Sequence, residues 1–200
     1  MAVPFVGLTG GMAAGKSTAL AALARLGART LSTDAVVHEL YTGAEVRDLV
    51  VARWGSGVAP DGVVDRAAIA RHAFGGDPAE RAWLEGELWP RVGAAVVAFR
   101  RAADAADPPP PAAVVETPLL FEAGMEAGYD ATIAVVATDA VRAERAGERG
   151  HHGLDERNAR QLPQDEKAAR ATYAIVNDGT VEQLEARLRD VLADLARRGT

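Results

Sequence analysis

A stretch near the amino terminus has the spacing of a loop that binds phosphate. It runs from Gly10 to Ser17, reads Gly-Gly-Met-Ala-Ala-Gly-Lys-Ser, and fits the pattern G-x-x-x-x-G-K-[ST]. Glycines there let backbone N–H groups approach phosphate oxygens, and the positive end of the helix that follows attracts the anion. Lys16 can reach the β- and γ-phosphates of a nucleotide, and the Ser17 hydroxyl can bind Mg²⁺. The stretch therefore predicts a nucleotide site, and the alternative is a glycine-rich turn between a strand and a helix.

The choice of basic residue in this stretch favours the phosphate loop. Lys16 and Lys167 are the only lysines among the 22 basic residues of the chain. A compact ammonium suits phosphate oxygens, so a lysine kept inside this pattern by an arginine-rich chain speaks against a plain turn.

The remaining polar candidates each follow a predicted strand. Asp34 comes after the second strand, Glu116 and Glu122 after the third, Asp139 after the fourth and Asn177 after the fifth. Ligands of open α/β sheets bind outside the carboxyl ends of the strands, so these residues are expected near the phosphate loop. Either glutamate could hold Mg²⁺ through a water molecule, or could be solvated in a loop.

Asp34 is the candidate general base. Transfer of a phosphoryl group to a hydroxyl needs an acceptor for the departing proton within hydrogen-bond reach of the nucleophile. The alternative is that Asp34 caps the amino terminus of a helix, a position that aspartate favours strongly.

Three arginines share one face of the helix predicted after the fourth strand. Arg142, Arg145 and Arg149 are spaced three and four residues apart. On a mobile segment they could close over a triphosphate and neutralise charge that develops in the transition state. Glu144 and Glu148 are interleaved with them, so a solvated helix stabilised by salt bridges is the alternative.

Apolar runs predict an α/β fold built on a parallel sheet. Five short runs are typical of buried parallel strands, at residues 3–9, 28–33, 112–117, 131–138 and 172–176. The first two strands and the helix at residues 16–26 form a β-α-β unit, which implies a right-handed crossover. The expected architecture has three layers, with helices on both faces of the sheet.

The chain between the second and third strands reads as an inserted helical subdomain over residues 35–106. Its predicted helices are residues 35–41, 44–54, 65–74 and 78–105. Pro90 is expected to kink or divide the last of these helices. Trp83, Leu84, Leu88 and Val92 are expected to pack inside the subdomain. A final amphipathic helix is predicted at residues 181–198.

Composition restricts the class of protein. The chain has 200 residues, a net charge of −6 and no cysteine, which fits one domain and argues against a nucleic-acid partner. No apolar run is long enough for a membrane span and the amino terminus has no basic segment, so we expect a cytoplasmic protein. His151 and His152 are adjacent, which does not suit a shared metal ion, and we expect them to be exposed.

Small-molecule kinases are the class of phosphate-loop protein that remains. A GTP switch is disfavoured because neither Asn-Lys-x-Asp nor Asp-x-x-Gly occurs in the chain. A transport ATPase is disfavoured because the chain is short and has no segment similar to Leu-Ser-Gly-Gly-Gln.

Several further segments resemble the dephospho-coenzyme A kinase family in register over nearly the whole chain. They are the phosphate loop within Gly7–Thr18, the Asp34 region, Asp61-Gly-Val-Val-Asp-Arg66, Thr117-Pro-Leu-Leu-Phe-Glu122 and Asn177-Asp-Gly179. The phosphate loop is shared by many families, but Pro-Leu-Leu-x-Glu at residues 118–122, with Asp-Gly-x-x-x-Arg at residues 61–66 between it and the loop, is much more specific.

The resemblance implies a P-loop NTPase fold and an activity. One kinase domain would span residues 1–200, with residues 35–106 binding the acceptor and residues 139–171 acting as a lid. ATP would phosphorylate the ribose 3′-hydroxyl of dephospho-coenzyme A with Mg²⁺ bound at Ser17, and Asp34, Lys16 and Arg145 would be catalytic. We expect a monomer with ATP and dephospho-coenzyme A as its substrates and with no nucleic-acid or membrane partner. The implied ATP contacts, with Asn177 beside the adenine, are Gly11, Met12, Ala13, Ala14, Gly15, Lys16, Ser17, Thr18, Arg142 and Asn177.

The chain departs from the family pattern at four places. Ser32 replaces an aspartate, His38 replaces an arginine, Trp89 replaces the histidine of a His-Pro pair, and residues 12–14 read Met-Ala-Ala instead of Ile-Gly-Ser. Two alternatives therefore stay open. One is a kinase of the same core acting on another hydroxyl acceptor, such as a nucleoside or nucleotide, and the other is a catalytically weak nucleotide-binding protein.

Overall fold

The computed structural model describes residues 2–148 and 161–198. The chain divides into two compact units, the first formed by residues 1–32 and 99–200 and the second by residues 33–98. Arg149, His151 and His152, for which the sequence made predictions, lie outside the described residues.

The first unit contains a five-stranded parallel sheet, as the apolar runs predicted. Its strands pair in the order β2-β3-β1-β4-β5. Every pairing is parallel, and the register places Leu8 of the first strand between Glu116 and Ile133. The strands are β1 (Phe5–Gly10), β2 (Arg29–Ser32), β3 (Ala113–Glu116), β4 (Ala131–Val136) and β5 (Tyr173–Val176).

Most described helices agree with the periodicity of the sequence to within a few residues at each end. The single helical stretch predicted after the fourth strand, over residues 140–171, instead contains two separate described helices, Asp139–Glu148 and Gln164–Arg170. The helices of the first unit cover the sheet and those of the second form the helical insertion. The helices are α1 (Lys16–Arg25), α2 (Thr33–Leu40), α3 (Ala44–Trp54), α4 (Arg66–Phe74), α5 (Pro78–Asp104), α6 (Asp139–Glu148), α7 (Gln164–Arg170) and α8 (Val181–Arg198).

The central strand β1 is buried along its whole length. A Cβ atom placed on Gly7 would lie 2.4 Å from Cδ1 of Leu120. Glycine therefore lets the loop that follows β3 pack closely over the strand without a shift of Leu120. The close approach brings that loop, residues 117–122, next to the start of the phosphate loop.

Two helices supply most of the apolar surface that packs on this sheet. Leu23 of α1 and Leu188 of α8 are fully buried with Leu8 and Val114 of the strands. A capping box begins α8, because Thr180 and Gln183 exchange hydrogen bonds between side chain and backbone N–H. The apolar stripe of α8 and its cap together position the loop that follows β5.

The second unit has a core of its own. Val46, Val50, Ile69, Leu84 and Leu88 are buried together. Of the four residues expected to pack inside the insertion, Leu84, Leu88 and the partly buried Trp83 do so, whereas Val92 is half-buried and lies outside this cluster.

Pro90 does not divide the long helix of the insertion. Helix α5 runs without interruption from Pro78 to Asp104, with Pro90 inside it. Proline removes the hydrogen bond to the carbonyl four residues earlier, which here belongs to Gly86. Both residues are exposed, so water can bond to that carbonyl and the helix continues.

Aromatic and charged side chains cluster beside this core. The ring of Trp54 stacks on His72 at 5.3 Å and meets Trp83 edge-on at 5.1 Å. The Trp54 Nε1–H donates to Glu80 at 2.6 Å, and Arg53 binds both oxygens of the same carboxylate. Hydrogen bonds from Arg53 and then Trp54 hold the pKa of Glu80 below its ordinary value of 4.5.

Candidate active site

The two glycines of the loop pattern stand where a side chain has no room. A Cβ atom on Gly10 would lie 2.2 Å from the carbonyl oxygen of Val135, and one on Gly15 would lie 2.2 Å from Nδ2 of Asn177. Gly15 also has a φ of 96°, in the left-handed region that favours glycine. The loop therefore packs against the ends of β4 and β5, and α1 follows it directly.

Ala13 also lies in the left-handed region, with a φ of 57°. An alanine pays a steric cost there that glycine avoids. The departure at residue 13 from the family pattern noted above, Ala for Gly, thus falls on the position where glycine would fit best.

Lys16 folds back over the loop that precedes it. Its ammonium donates to the carbonyl oxygens of Gly10 at 3.1 Å and Gly11 at 2.9 Å. The ammonium therefore lies next to the loop. When a phosphate binds there, the ammonium can donate to a phosphate oxygen in place of one of these carbonyl oxygens. Ser17 follows in the first turn of α1 with an exposed side chain.

Helix α6 brings two guanidinium groups to the phosphate loop. The Nε–H of Arg142 donates to the carbonyl oxygen of Met12 at 3.0 Å, and its Nη1 binds Asp139 at 3.0 Å. Nη1 of Arg145 is buried without a hydrogen-bond partner, 3.6 Å from the position of a Cβ on Gly15. An unsatisfied cationic donor beside a phosphate loop is suited to an anion.

Asn177 holds the loop from the end of β5. It is buried, its Nδ2 donates to the carbonyl oxygen of Ala14 at 2.8 Å, and its backbone N–H donates to Val136 at 2.8 Å. The resemblance implied a place beside the adenine of ATP, which stays a prediction. In the structure the side chain contacts the loop itself.

Asp34 lies in the second unit, in the first turn of α2. It is exposed. It is the second residue of that helix, and the capping alternative stays open beside the role as a base. In the same unit, Nδ1 of His38 lies 3.1 Å from Nη1 of Arg66. The role of Asp34 as a base stays a prediction.

Glu122 forms a buried ion pair that the sequence did not predict. Its Oε1 lies 2.9 Å from the ammonium of Lys167, which is fully buried. A solvated loop position, one interpretation of Glu122, is therefore wrong. Glu116 is buried as well, at the end of β3.

Gln164 is a second residue that sequence reasoning missed. Its side-chain amide donates to the carbonyl oxygen of Ala137 at 2.8 Å and accepts from the N–H of Ala137 at 3.2 Å. It lies beside Gly11, since a Cβ there would be 3.5 Å from Gln164 Oε1. A glutamine in a polar stretch carries no signal of such a contact, because the partner is backbone 27 residues away.

Ser17 is the residue of the loop that could bind Mg²⁺. Its hydroxyl is exposed at the start of a helix, next to the loop that would hold the phosphates of the same metal complex. Among residues 2–148 and 161–198, no three histidine or acidic side chains are grouped closely enough to hold a metal ion. In the same ranges, no helix has the length and apolar character of a membrane span.

The fold and the site together define a P-loop kinase. A phosphate loop joins the central strand of a parallel sheet to α1, and Arg142 from the helix after β4 contacts that loop with Arg145 close by. A sequence model of the family described as dephospho-CoA kinase matches residues 4–183. The chain belongs to this family.

Curated relatives carry the same family name, and a solved structure shares the fold. A dephospho-CoA kinase of Anaeromyxobacter dehalogenans is 39% identical over 95% of this chain and 91% of its own length. One from Moorella thermoacetica is 40% identical over 96% of this chain and 92% of its own. The crystal structure of TT1252 from Thermus thermophilus has a TM-score of 0.79 and 32% identity, covering 98% of this chain and 99% of that one.

Proposed function

We propose that this protein is a dephospho-CoA kinase, which transfers the γ-phosphoryl group of ATP to the ribose 3′-hydroxyl of dephospho-CoA. The observation that carries the proposal is a phosphate loop held by Asn177 and contacted by Arg142, in a chain that matches the family over residues 4–183. ADP and coenzyme A would be the products.

Side chains of the first unit would bind and stabilise the triphosphate. Lys16 and the N–H groups at the start of α1 would hold the β- and γ-phosphates, and Arg142 and Arg145 would neutralise charge on the transferred group. The position of Arg145 Nη1, buried without a partner beside Gly15, supports this role. Mg²⁺, bound at Ser17 together with the phosphates, would supply further neutralisation of the phosphate oxygens.

Asp34 would accept the proton of the acceptor hydroxyl. As the hydroxyl oxygen attacks phosphorus, the bond from the γ-phosphorus to the bridging oxygen breaks, and the proton moves to the carboxylate. Its exposure and its place in the first turn of α2 support the assignment. The helical unit that contains it would bind the acceptor, and the segment at residues 139–171 would act as the lid.

The chain departs from the family pattern at Ser32, His38 and Trp89, so the identity of the acceptor is the part of the proposal that most needs a test. Nδ1 of His38 accepts a hydrogen bond from Arg66 at 3.1 Å, so the cation at this place is the guanidinium of Arg66 and the histidine does not replace the charge of the family's arginine. We further propose that the enzyme is a cytoplasmic monomer that acts on small molecules and not on nucleic acid. Its net charge of −6 argues against a nucleic-acid partner, and its lack of cysteine is compatible with a reducing compartment.

The direct test is product analysis with Mg·ATP and a panel of acceptors. The purified chain is incubated with dephospho-CoA, nucleosides and nucleotides, and products are identified by chromatography and mass spectrometry. We expect coenzyme A and ADP in equal amounts from dephospho-CoA. Faster phosphorylation of a nucleoside or nucleotide would instead support the alternative acceptor, and ATP binding without any product would support a nucleotide-binding protein.

A further inference from the structure

The second lysine of the chain, Lys167, is buried in the first unit, far along the sequence from Lys16. Lys167 has no exposed surface, and its ammonium donates to Glu122 Oε1 at 2.9 Å and to the carbonyl oxygen of Pro118 at 2.7 Å. Removing two charges from water costs about as much as their attraction returns. A gain in stability is therefore a weak explanation for this buried pair, and the segments that it joins suggest a role in the site.

Glu122 links three segments of the first unit. Its Oε1 accepts from Lys167 of α7 and also from the backbone N–H of Leu162 at 2.8 Å. Glu122 itself belongs to the loop that follows β3. A second contact lies one turn further along α7, where Arg170 pairs with Glu126 and stacks 4.8 Å over the ring of Phe121.

These contacts determine where residues 161–164 lie relative to the phosphate loop. Gln164 precedes Lys167 by one helical turn, hydrogen-bonds both backbone groups of Ala137, and approaches Gly11. A cleft of about 440 Å³ opens between this segment, the phosphate loop and the start of α6. Its lining includes Gly11, Met12, Arg142, Leu162 and Gln164.

We propose that Lys167 and Glu122 are positioning residues for phosphoryl transfer. The pair holds residues 161–164 as one wall of the cleft, and through Gln164 it fixes the distance between that wall and Gly11. Lysine suits this place because its compact ammonium reaches two oxygens in a closed space, whereas the planar fork of arginine is larger. The proposal rests on the proposed function for its effect on turnover, and its effect on ATP binding does not depend on the acceptor.

The test uses a charge-neutral double variant, Lys167→Met with Glu122→Gln. Lys167→Met alone leaves a buried carboxylate without its cation and should lower the melting temperature. The double variant removes both charges, while the glutamine Oε1 can still accept from Leu162. It should fold, yet lose the ammonium that joins α7 to the loop after β3.

We expect the double variant to bind ATP about tenfold more weakly, measured by calorimetry well below its melting temperature. Its kcat should fall by at least a similar factor. The matched control is Arg25→Met with Glu185→Gln, which removes an exposed ion pair between α1 and α8 at 3.1 Å and should leave both quantities unchanged.

A folded double variant with wild-type ATP affinity and kcat would overturn the proposal, because a purely structural pair predicts that result. Gln164→Leu gives a second, independent arm, since it keeps the ion pair and removes only the contacts to Ala137. Wild-type ATP affinity in that variant would also contradict the proposal. If weaker ATP binding appears but dephospho-CoA is not phosphorylated by any form, the proposed acceptor fails and the positioning role stands.

Discussion

Asn177 donates a 2.8 Å hydrogen bond from its side-chain amide to the backbone carbonyl of Ala14. The bond joins the end of β5 to the phosphate loop across 163 residues of sequence. The same nitrogen occupies the space that a Cβ on Gly15 would fill. The shape of the loop is thus maintained by a side chain from the far end of the sheet as well as by its own glycines.

Asn177→Ala should weaken ATP binding more than it weakens folding. The buried carbonyl of Ala14 loses its partner and the loop gains freedom before phosphate binds. We expect the KM for ATP to rise about tenfold, with a smaller change in kcat. Steady-state kinetics at varied ATP measure this.

Thr180→Ala is the control for Asn177→Ala. It removes the capping contact with Gln183 on the same loop and should lower the free energy of unfolding by about 1 kcal/mol. The KM for ATP should stay unchanged. An equal rise of KM in both variants would mean that the whole loop after β5, and not the amide of Asn177, supports the site.

Ala13→Gly should stabilise the protein in spite of adding backbone freedom. Ala13 has a φ of 57°, where alanine is strained and glycine is not. The expected gain in the free energy of unfolding is about 1 kcal/mol, measured by denaturant titration. Ala14→Gly, at a fully buried residue outside the left-handed region, should be destabilising instead. Destabilisation by both changes would contradict strain at Ala13.

Arg145→Ala should separate catalysis from stability. Nη1 of Arg145 is buried without a partner, so its removal should cost little or nothing in the melting temperature. Loss of the charge beside Gly15 should lower kcat about 100-fold. Glu144→Ala, at the exposed neighbouring position of α6, is the control and should change neither. Normal kcat in Arg145→Ala would exclude this arginine from the transferred phosphoryl group.

The parallel sheet was predictable because burial on both faces leaves continuous apolar runs such as residues 5–10. The phosphate loop was predictable because backbone geometry demands glycine at Gly10 and Gly15. Pro90 does not divide the long helix, which was one of the two outcomes expected of it, since an exposed carbonyl at Gly86 can be hydrated. The kink stays a prediction.

The contacts that surround the loop were not predictable in the same way. Lys167 lies in a stretch with charged neighbours, and nothing in that stretch indicates that it is buried against Glu122. Gln164 bonds to the backbone of Ala137, which any sequence offers. Such contacts depend on how segments distant in the sequence pack together, and the spacing of residues within one segment does not indicate this.

Acid should weaken the helical unit partly through Glu80. Hydrogen bonds from Arg53 and Trp54 lower the pKa of this carboxyl in the folded state below its ordinary 4.5. A lowered folded pKa adds stability above about pH 4.5 that is lost as pH falls through the folded value. Wild type should therefore exceed Glu80→Gln in melting temperature at neutral pH, and the difference should shrink in acid.

The control is Glu39→Gln, which removes one negative charge at an exposed position of α2. A difference between wild type and Glu80→Gln that stays constant from neutral pH into acid would contradict the role of Glu80.

The most direct test of the account is ADP release from Mg·ATP with and without dephospho-CoA, in wild type and Asp34→Asn. Dephospho-CoA should stimulate release in wild type and in Asp48→Asn, a control at another exposed aspartate of the second unit. In Asp34→Asn the stimulation should fall at least about 100-fold while ATP still binds. Full stimulation in Asp34→Asn would contradict the assignment of the base, and no stimulation in wild type with ATP bound would contradict the acceptor.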